Sequence, residues 1–268
     1  MEKQDITKGY QNVDNSQTEF LKKFLEDVSQ MPDILESFKL QLKWMDIQEG
    51  NQVLDIGCGI GVQAVEMAKR VGSTGKVTGT DLSSVMVSIA ESSFLSSGLP
   101  LEFIVADALQ QPFPDETFDS VRTERVLMYI KNTDAAFTEF KRLLKPGGRL
   151  VVFDVDWDAL VIAHSDKALT RKIVRYVSDS FPNGRIGGEL FHYFKNYNFK
   201  DIKVKPVSYT GPFFSLTKRV CEGVLQTGIS NKVFTQSEIS DWWEILEKDA
   251  KANKFFASYA GFIVAGTK

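Results

Sequence analysis

Short apolar runs alternate with amphipathic stretches through the middle of the chain. Gln52–Ile56 is a compact apolar run that carries one acid. Beyond it Val62, Val65, Ala68 and Val71 recur at helical spacing. Residues 76–80 read as a second strand, and residues 84–97 place Val85, Met86, Ile89 and Ala90 at helical offsets. Leu101–Val105 and residues 118–123 are the third and fourth strands. A helix over residues 134–144 meets Lys-Pro-Gly-Gly, where Pro146, Gly147 and Gly148 cannot continue it. Residues 149–153 make the fifth strand. Strand and helix alternating in this way predict βαβ units and a parallel sheet, an α/β fold.

The flanks add helices and two further strands. Phe20, Leu21, Phe24, Leu25 and Val28 form one amphipathic stripe, and Ile34, Leu35, Phe38 and Leu42 form a second. Both are expected to pack on the core or to cover its ligand edge. After the fifth strand Leu169, Ile173, Tyr176 and Val177 mark another helix. Strand-like stretches follow at 202–209 and 256–265, with a helical segment between them. That segment opens on Thr-Gln-Ser-Glu from Thr235 to Glu238, a capping box flanked by Phe234 and Ile239 as a hydrophobic staple.

The turn after the first strand holds the chemistry. In VLDIGCGIGVQ, Gly57, Gly59 and Gly61 follow Asp55 at alternate positions between a strand and a helix. Glycine there permits backbone dihedrals and close approaches that a Cβ forbids. A strand-to-helix turn is also where an α/β sheet receives nucleotide-like ligands. From Gly59 the segment GIGVQA fits a tolerated variant of the dinucleotide fingerprint, so a nicotinamide cofactor competes with an adenosyl one. Asp81, twenty positions past Gly61, suits either ligand, because a carboxylate can accept from both hydroxyls of a ribose. Asp107 follows the third strand, where it can accept from an adenine amine while the amide of Ala108 donates to a ring nitrogen.

Composition narrows the field. The chain has 268 residues, 43% of them hydrophobic and 25% charged, with a formal charge of −3. That suits one large α/β domain and supplies no basic field for nucleic acid. No apolar run reaches the length of a membrane span. The polar first residues lack the apolar core of a signal peptide, so a cytoplasmic location is the expectation. Two cysteines and two histidines are too few for a zinc site built from these residue types.

The ordered set VLDIGCGIG, GTDLSSVM, VADALQQPFPDETFDSV and LLKPGGRLVV resembles the class I S-adenosylmethionine-dependent methyltransferases. Within them it is most similar to the ubiquinone/menaquinone-biosynthesis C-methyltransferase type and its natural-product relatives. The resemblance covers roughly residues 50–155. It implies a Rossmann-like seven-stranded, mostly parallel sheet of order 3-2-1-4-5-7-6, with helices on both faces and an antiparallel last strand for which FFASYAGFIVAGTK is suited. Residues 1–45 would be an N-terminal helical lid and 46–155 the S-adenosylmethionine-binding core. Residues 156–268 would complete the same domain with acceptor-pocket helices and strands six and seven.

Position by position, the resemblance implies a cofactor site. Asp55, Gly57, Cys58, Gly59 and Gly61 would line the methionine half, with the acid suited to its ammonium end. Asp81 would take the ribose hydroxyls. Leu82 and Met86 would cover the adenine, Asp107 and Ala108 would read its edge, and Thr123 would offer its carbonyl to the amino group. Tyr10 would close over the cofactor as part of the lid. After strand four the chain reads TERV, not the N/D-P-P-Y/F of many amine methylases, which favours a small-molecule carbon or oxygen acceptor.

Methyl transfer in line to an activated carbon needs a base only where the acceptor must lose a proton. His164, on a loop after the fifth strand, and Glu124 are the candidates; His192 sits in an aromatic helical stripe suited to packing. Glu124 and Arg125 are placed to ion-pair with each other or with neighbours. Trp157, Phe181, Tyr193, Tyr197, Phe213 and Phe214 build either an apolar acceptor pocket or the ordinary core of the C-terminal part. Cys58 reads as a small buried filler. A nicotinamide-dependent oxidoreductase and a non-catalytic cofactor-binding homologue stand as alternatives, and the N-terminal helices leave a homo-oligomer open.

Overall fold

In the computed structural model, residues 5–9, 18–94, 96–212 and 214–268 are described. Tyr10 and Phe213 lie outside them. Seven strands form one sheet of order β3-β2-β1-β4-β5-β7-β6. They are β1 (Gln52–Ile56), β2 (Lys76–Asp81), β3 (Leu101–Val105), β4 (Phe118–Glu124), β5 (Leu144–Ile162), β6 (Lys200–Gly211) and β7 (Ala257–Thr267). Strands β1 to β5 pair in parallel, and β7 runs antiparallel between β5 and β6. The helices are α1 (Ile6–Gly9), α2 (Thr18–Ser29), α3 (Pro32–Met45), α4 (Ala64–Val71), α5 (Ser84–Phe94), α6 (Thr133–Leu143), α7 (Lys167–Ser180), α8 (Ile186–Asn196), α9 (Phe214–Ser230) and α10 (Gln236–Lys251). No helix among the described residues is long and apolar enough to cross a membrane.

The central strands are apolar and buried on both faces, as a covered parallel sheet requires: Val53, Leu54, Val121, Leu150 and Val152 are fully buried. Two elements differ from the sequence pattern. The fifth strand spans nineteen residues, not five. Its far half pairs with β7, from Asp154↔Phe262 to Ile162↔Ala257, and its near end starts at Leu144, directly after α6, and runs through the Lys-Pro-Gly-Gly stretch. Between β6 and β7 there are two helices where one was expected. The second, α10, has the expected capping box, with Glu238 N donating to Thr235 Oγ1 and Thr235 N to Glu238 Oε2. On the edge strand β6, Lys200, Lys203, Lys205 and Pro206 discourage pairing with another chain.

Two buried polar struts hold the loop-bearing end of the sheet. At the first, Arg122 of β4 lies among β1, α3 and the glycine turn, its side chain 2% exposed. Its Nη1 donates to Asp55 Oδ1 at 2.7 Å and its Nε to Gln41 Oε1 at 2.8 Å, while Nη2 donates to Gln63 and Glu124. Gln41 closes the ring by donating to Glu124 Oε2 at 2.9 Å, and the Phe38 ring lies 5.0 Å from the guanidinium carbon. Burial pushes the Asp55 carboxyl up, against the pull of Arg122. For Glu124 burial also pushes upward, but the charges of Arg125 and Arg122 and hydrogen bonds from Gln41 and Gln63 outweigh it and hold the group low.

Asp154 of β5 is the second strut. Its Oδ2 accepts from Leu127 N at 2.8 Å and Met128 N at 3.3 Å, and its Oδ1 from Val155 N at 3.0 Å. These bonds pin the single 3₁₀ turn after β4 (Leu127–Tyr129) to the sheet. Burial pushes Asp154 up to about 7, although the three N–H donors favour its charged form.

Removing Arg122 leaves two buried carboxylates without their shared partner. Arg122→Leu is expected to lower stability by about 3–5 kcal/mol at neutral pH, and Arg122→Lys to recover only part, because one ammonium cannot span the same fork. Denaturant melts of the three proteins check this. Asp154 supplies a pH test. A folded pKa above the unfolded 3.8 means the native state holds the extra proton, so its contribution is full below about 3.8 and is lost as pH rises through about 7. The deficit of Asp154→Asn relative to wild type should therefore shrink by about 2 kcal/mol between pH 5 and pH 8. A deficit that is constant or grows over that range would show that Asp154 is charged throughout.

Candidate active site

A cavity of about 520 Å³ opens where the carboxyl ends of β1, β2 and β4 meet the N-terminal helices. One half is built from the glycine turn, Asp81, Leu82 and the Asp107–Leu109 turn. The other is built from Val155 and Trp157 of β5, Tyr209 of β6, Tyr259 of β7 and Leu216 and Val220 of α9. Ile6 of α1, Phe24, Leu25 and Val28 of α2 and Ile34 of α3 line it from the N-terminal side. An ion pair from Arg219 of α9 to Asp27 of α2, 2.7 Å long, ties that cover to the C-terminal part.

All three glycines of the turn have positive φ, +73° at Gly57, +54° at Gly59 and +75° at Gly61. Their reasons differ. A Cβ on Gly57 would stand 2.2 Å from Val126 Cγ2, and one on Gly61 would stand 2.7 Å from the Phe103 ring. Those two glycines admit protein side chains, and Gly61 is not on the cavity wall. Gly59 is, and its amide donates to Asp81 Oδ2 at 2.9 Å while Ser83 N donates to Asp81 Oδ1 at 3.0 Å. One carboxylate thus links the end of β2 to the turn after β1. Cys58 also lines the cavity, and burial pushes its thiol well up, with Asp81 and Asp55 adding to the effect. It is a filler and not a nucleophile.

Asp107 is exposed on the wall, its Oδ1 accepting from Leu109 N at 2.9 Å in an Asx turn, with Ala108 beside it. Leu82 lines the same half and is 59% exposed.

Several expected positions fall elsewhere. Asp55 does reach the wall, with its Oδ1 accepting from Arg122. Met86 is 1% exposed and packs with Ile60 under the turn, away from the wall, because the first turn of α5 points it inward. Thr123 is buried inside β4, paired with Ile56 and Val152; the strand runs one residue further, and Glu124, Arg125 and Val126 reach the wall in its place. His164 does not line the cavity. Its Nδ1 accepts from Asp166 N at 2.9 Å, its Nε2 is 3.3 Å from Trp242 O, and its ring stacks on Trp242. His192 is exposed on α8 beside Asn196, not packed in a core. Glu124 is committed to Arg122, Gln41 and Arg125, which leaves it a poor base.

The aromatic set divides. Trp157 lines the wall with Phe181 stacked behind it at 4.7 Å, whereas Tyr193 and Tyr197 pack on Phe137 of α6 and Phe214 on Trp243 and Phe255. Arg122, Gln41, Gln63, Tyr209 and Tyr259 escaped the sequence reading. None left a distinct local signal; even Arg122 stands among other polar residues in the strand FDSVRTE.

Residues 47–199 match the methyltransferase-domain family. The chain is 42% identical over 108 residues to a ubiquinone/menaquinone biosynthesis C-methyltransferase, UbiE, of Chromobacterium violaceum, covering 40% of this chain and 44% of that one. It is 35% identical over 179 residues to an uncharacterized 37.1 kDa protein in transposon TN4556 of Streptomyces fradiae, 66% of this chain and 51% of that one. The chain therefore spans about half the length of these relatives. Its fold resembles that of phosphoethanolamine N-methyltransferase 2 of Haemonchus contortus, solved in complex with S-adenosyl-L-methionine, with a TM-score of 0.60 at 22% identity over 97% of this chain and 59% of that one. With more than half its length matched and the sheet order expected of it, the chain belongs to the methyltransferase-domain family.

Proposed function

We propose that this protein transfers a methyl group from S-adenosylmethionine to a carbon or oxygen atom of a small-molecule acceptor, in the cytoplasm. The observation that carries the reading is one continuous cavity with two differently built halves, polar turns on the side of β1 to β3 and apolar, aromatic walls on the side of β5 to β7. Family membership and the C-methyltransferase relatives support the same reaction class.

The polar half fits an adenosyl amino acid. Gly59 leaves the turn bare of a side chain on the wall, and an added Cβ would come within 3.3 Å of Leu25. Asp81 stands on the cavity wall at the end of β2, and its carboxylate, which has about four acceptor sites, suits ribose hydroxyls. Asp107, with the Ala108 amide, suits the edge of adenine, and Leu82 one of its faces. When bound, the cofactor supplies a methyl carbon already activated by its sulfonium sulfur. The rest falls to this chain: Trp157, Tyr259 and Val220 hold the acceptor against that carbon, and the N-terminal helices exclude water. With His164 and His192 off the cavity, neither serves as a base.

Thermal shift separates this reading from its rival. S-adenosylhomocysteine should raise the melting temperature and NAD(P) should not, because only a ligand of the native state stabilises it; the reverse result removes the methyltransferase reading. Asp81 is the sharper probe. Hydrogen bonds to a charged group contribute roughly 1.5–3 kcal/mol each, so Asp81→Ala should weaken S-adenosylmethionine binding by on the order of a hundredfold. Asp81→Asn, which keeps one acceptor, should lose less. Calorimetric titration of both variants checks the order, and wild-type affinity in Asp81→Ala would place the ribose elsewhere.

A further inference from the structure

Three aromatic side chains on adjoining strands line the apolar half of the cavity: Trp157 of β5, Tyr259 of β7 and Tyr209 of β6. Trp157 Nε1 lies 3.3 Å from Met128 Sδ, and Tyr259 Oη donates to Thr217 Oγ1 at 2.7 Å. Tyr209 differs. It is 5% exposed, and among the described residues its buried hydroxyl makes no hydrogen bond. Ser37 of α3 is a polar neighbour, but it stands outside hydrogen-bonding geometry, and its Oγ accepts from Gln41 Nε2 at 3.4 Å. Folded proteins rarely leave a buried hydroxyl unpaired, because taking it out of water without a partner is unfavourable.

The ring is fixed even though its oxygen is not. Tyr209 stands directly across from Tyr259 in the register of β6 with β7, and side chains so placed on one sheet face are close neighbours. The Phe153 ring of β5 meets it nearly edge-on, with centroids 6.0 Å apart and planes at 84°. Packing therefore sets where Tyr209 sits, and hydrogen bonding does not. Burial pushes its phenol well up, and the charge of Glu124 adds to the effect while that of Arg125 opposes it. The proton stays on the oxygen. Tyr209 is a donor and not a base.

We propose that the hydroxyl of Tyr209 donates a hydrogen bond to an oxygen atom of the acceptor and so fixes the acceptor's orientation in the apolar half. This rests on the reading that the apolar half takes the acceptor. Apolar walls alone hold a flat ligand in several poses of similar energy, and one directed polar contact selects among them. In-line transfer needs that selection, because only one pose aims the reacting atom at the methyl carbon. No proton moves at this contact.

The test compares acetophenone, whose carbonyl oxygen can accept, with α-methylstyrene, a hydrocarbon of nearly the same shape that cannot. In wild type the carbonyl band of bound acetophenone should lie at lower wavenumber than in a hydrocarbon solvent. Tyr209→Phe should return the band to its solvent position and weaken acetophenone binding roughly three- to tenfold, as loss of a neutral hydrogen bond does. Its affinity for α-methylstyrene should be unchanged. Because the hydroxyl has no partner in the free chain, Tyr209→Phe should melt no lower than wild type. Ser37→Ala should keep both the band and the affinity. Failure of acetophenone to bind wild type, an unshifted band there, or an equal shift in Tyr209→Phe overturns the proposal. So does an equal loss for both probes, or a lower melting temperature of Tyr209→Phe. Titration of wild type with S-adenosylhomocysteine is a separate result: its failure removes the cofactor reading, while the carbonyl band still decides the role of Tyr209.

Discussion

The loop-bearing end of this sheet is organised around one buried guanidinium. Arg122 takes carboxylates from β1 and β4 and amides from α3 and the glycine turn in a single planar fork. A lone buried charge is costly, and a buried pair offsets its desolvation only when every donor and acceptor is placed. That condition orders four separate stretches of chain at once, and the cavity lies directly against them. Asp154 plays a matching part on the other side of β4, where three backbone amides converge on one carboxylate and the 3₁₀ turn that borders the cavity is held to the sheet.

These struts divide the labour around the cavity. Asp81 ties the end of β2 to the turn after β1 through Gly59, so the polar half is shaped mostly by backbone and short carboxylates. The apolar half comes from elements distant in sequence: the far half of β5, both C-terminal strands and α9. Two of its aromatic polar atoms are spent on protein partners, Trp157 Nε1 on Met128 Sδ and Tyr259 Oη on Thr217 Oγ1. What remains toward a ligand there is chiefly apolar surface, with Arg125 at its border.

The corrections share a cause. The partner of Asp55 is invisible locally, because Arg122 lies 67 residues later and meets it only when β1 and β4 pair. Distance from a motif puts Met86 and Thr123 at the site, whereas their exposure depends on how α5 is rotated and where β4 ends. His164 had a suitable place in the chain order, yet the loop carries it to Trp242 of α10. Gly61 lies off the cavity wall because it makes room for the Phe103 ring, while Gly57 stays on the wall with Val126 packed against it.

By itself the sequence determined the strand–helix alternation, the turn with its three glycines, the capping box at Thr235 and, through resemblance, the sheet order. These depend on residues close together in the chain, where periodicity and turn chemistry act directly. The tertiary structure alone decided the nineteen-residue β5, since its far half exists only because β7 pairs with it. It alone likewise decided the Arg122 cluster, the assignment of Tyr209 and Tyr259 to the cavity and the half-open position of Arg125. Each of these depends on long-range pairing and on which charges are buried together, and desolvation has no local signature in a sequence.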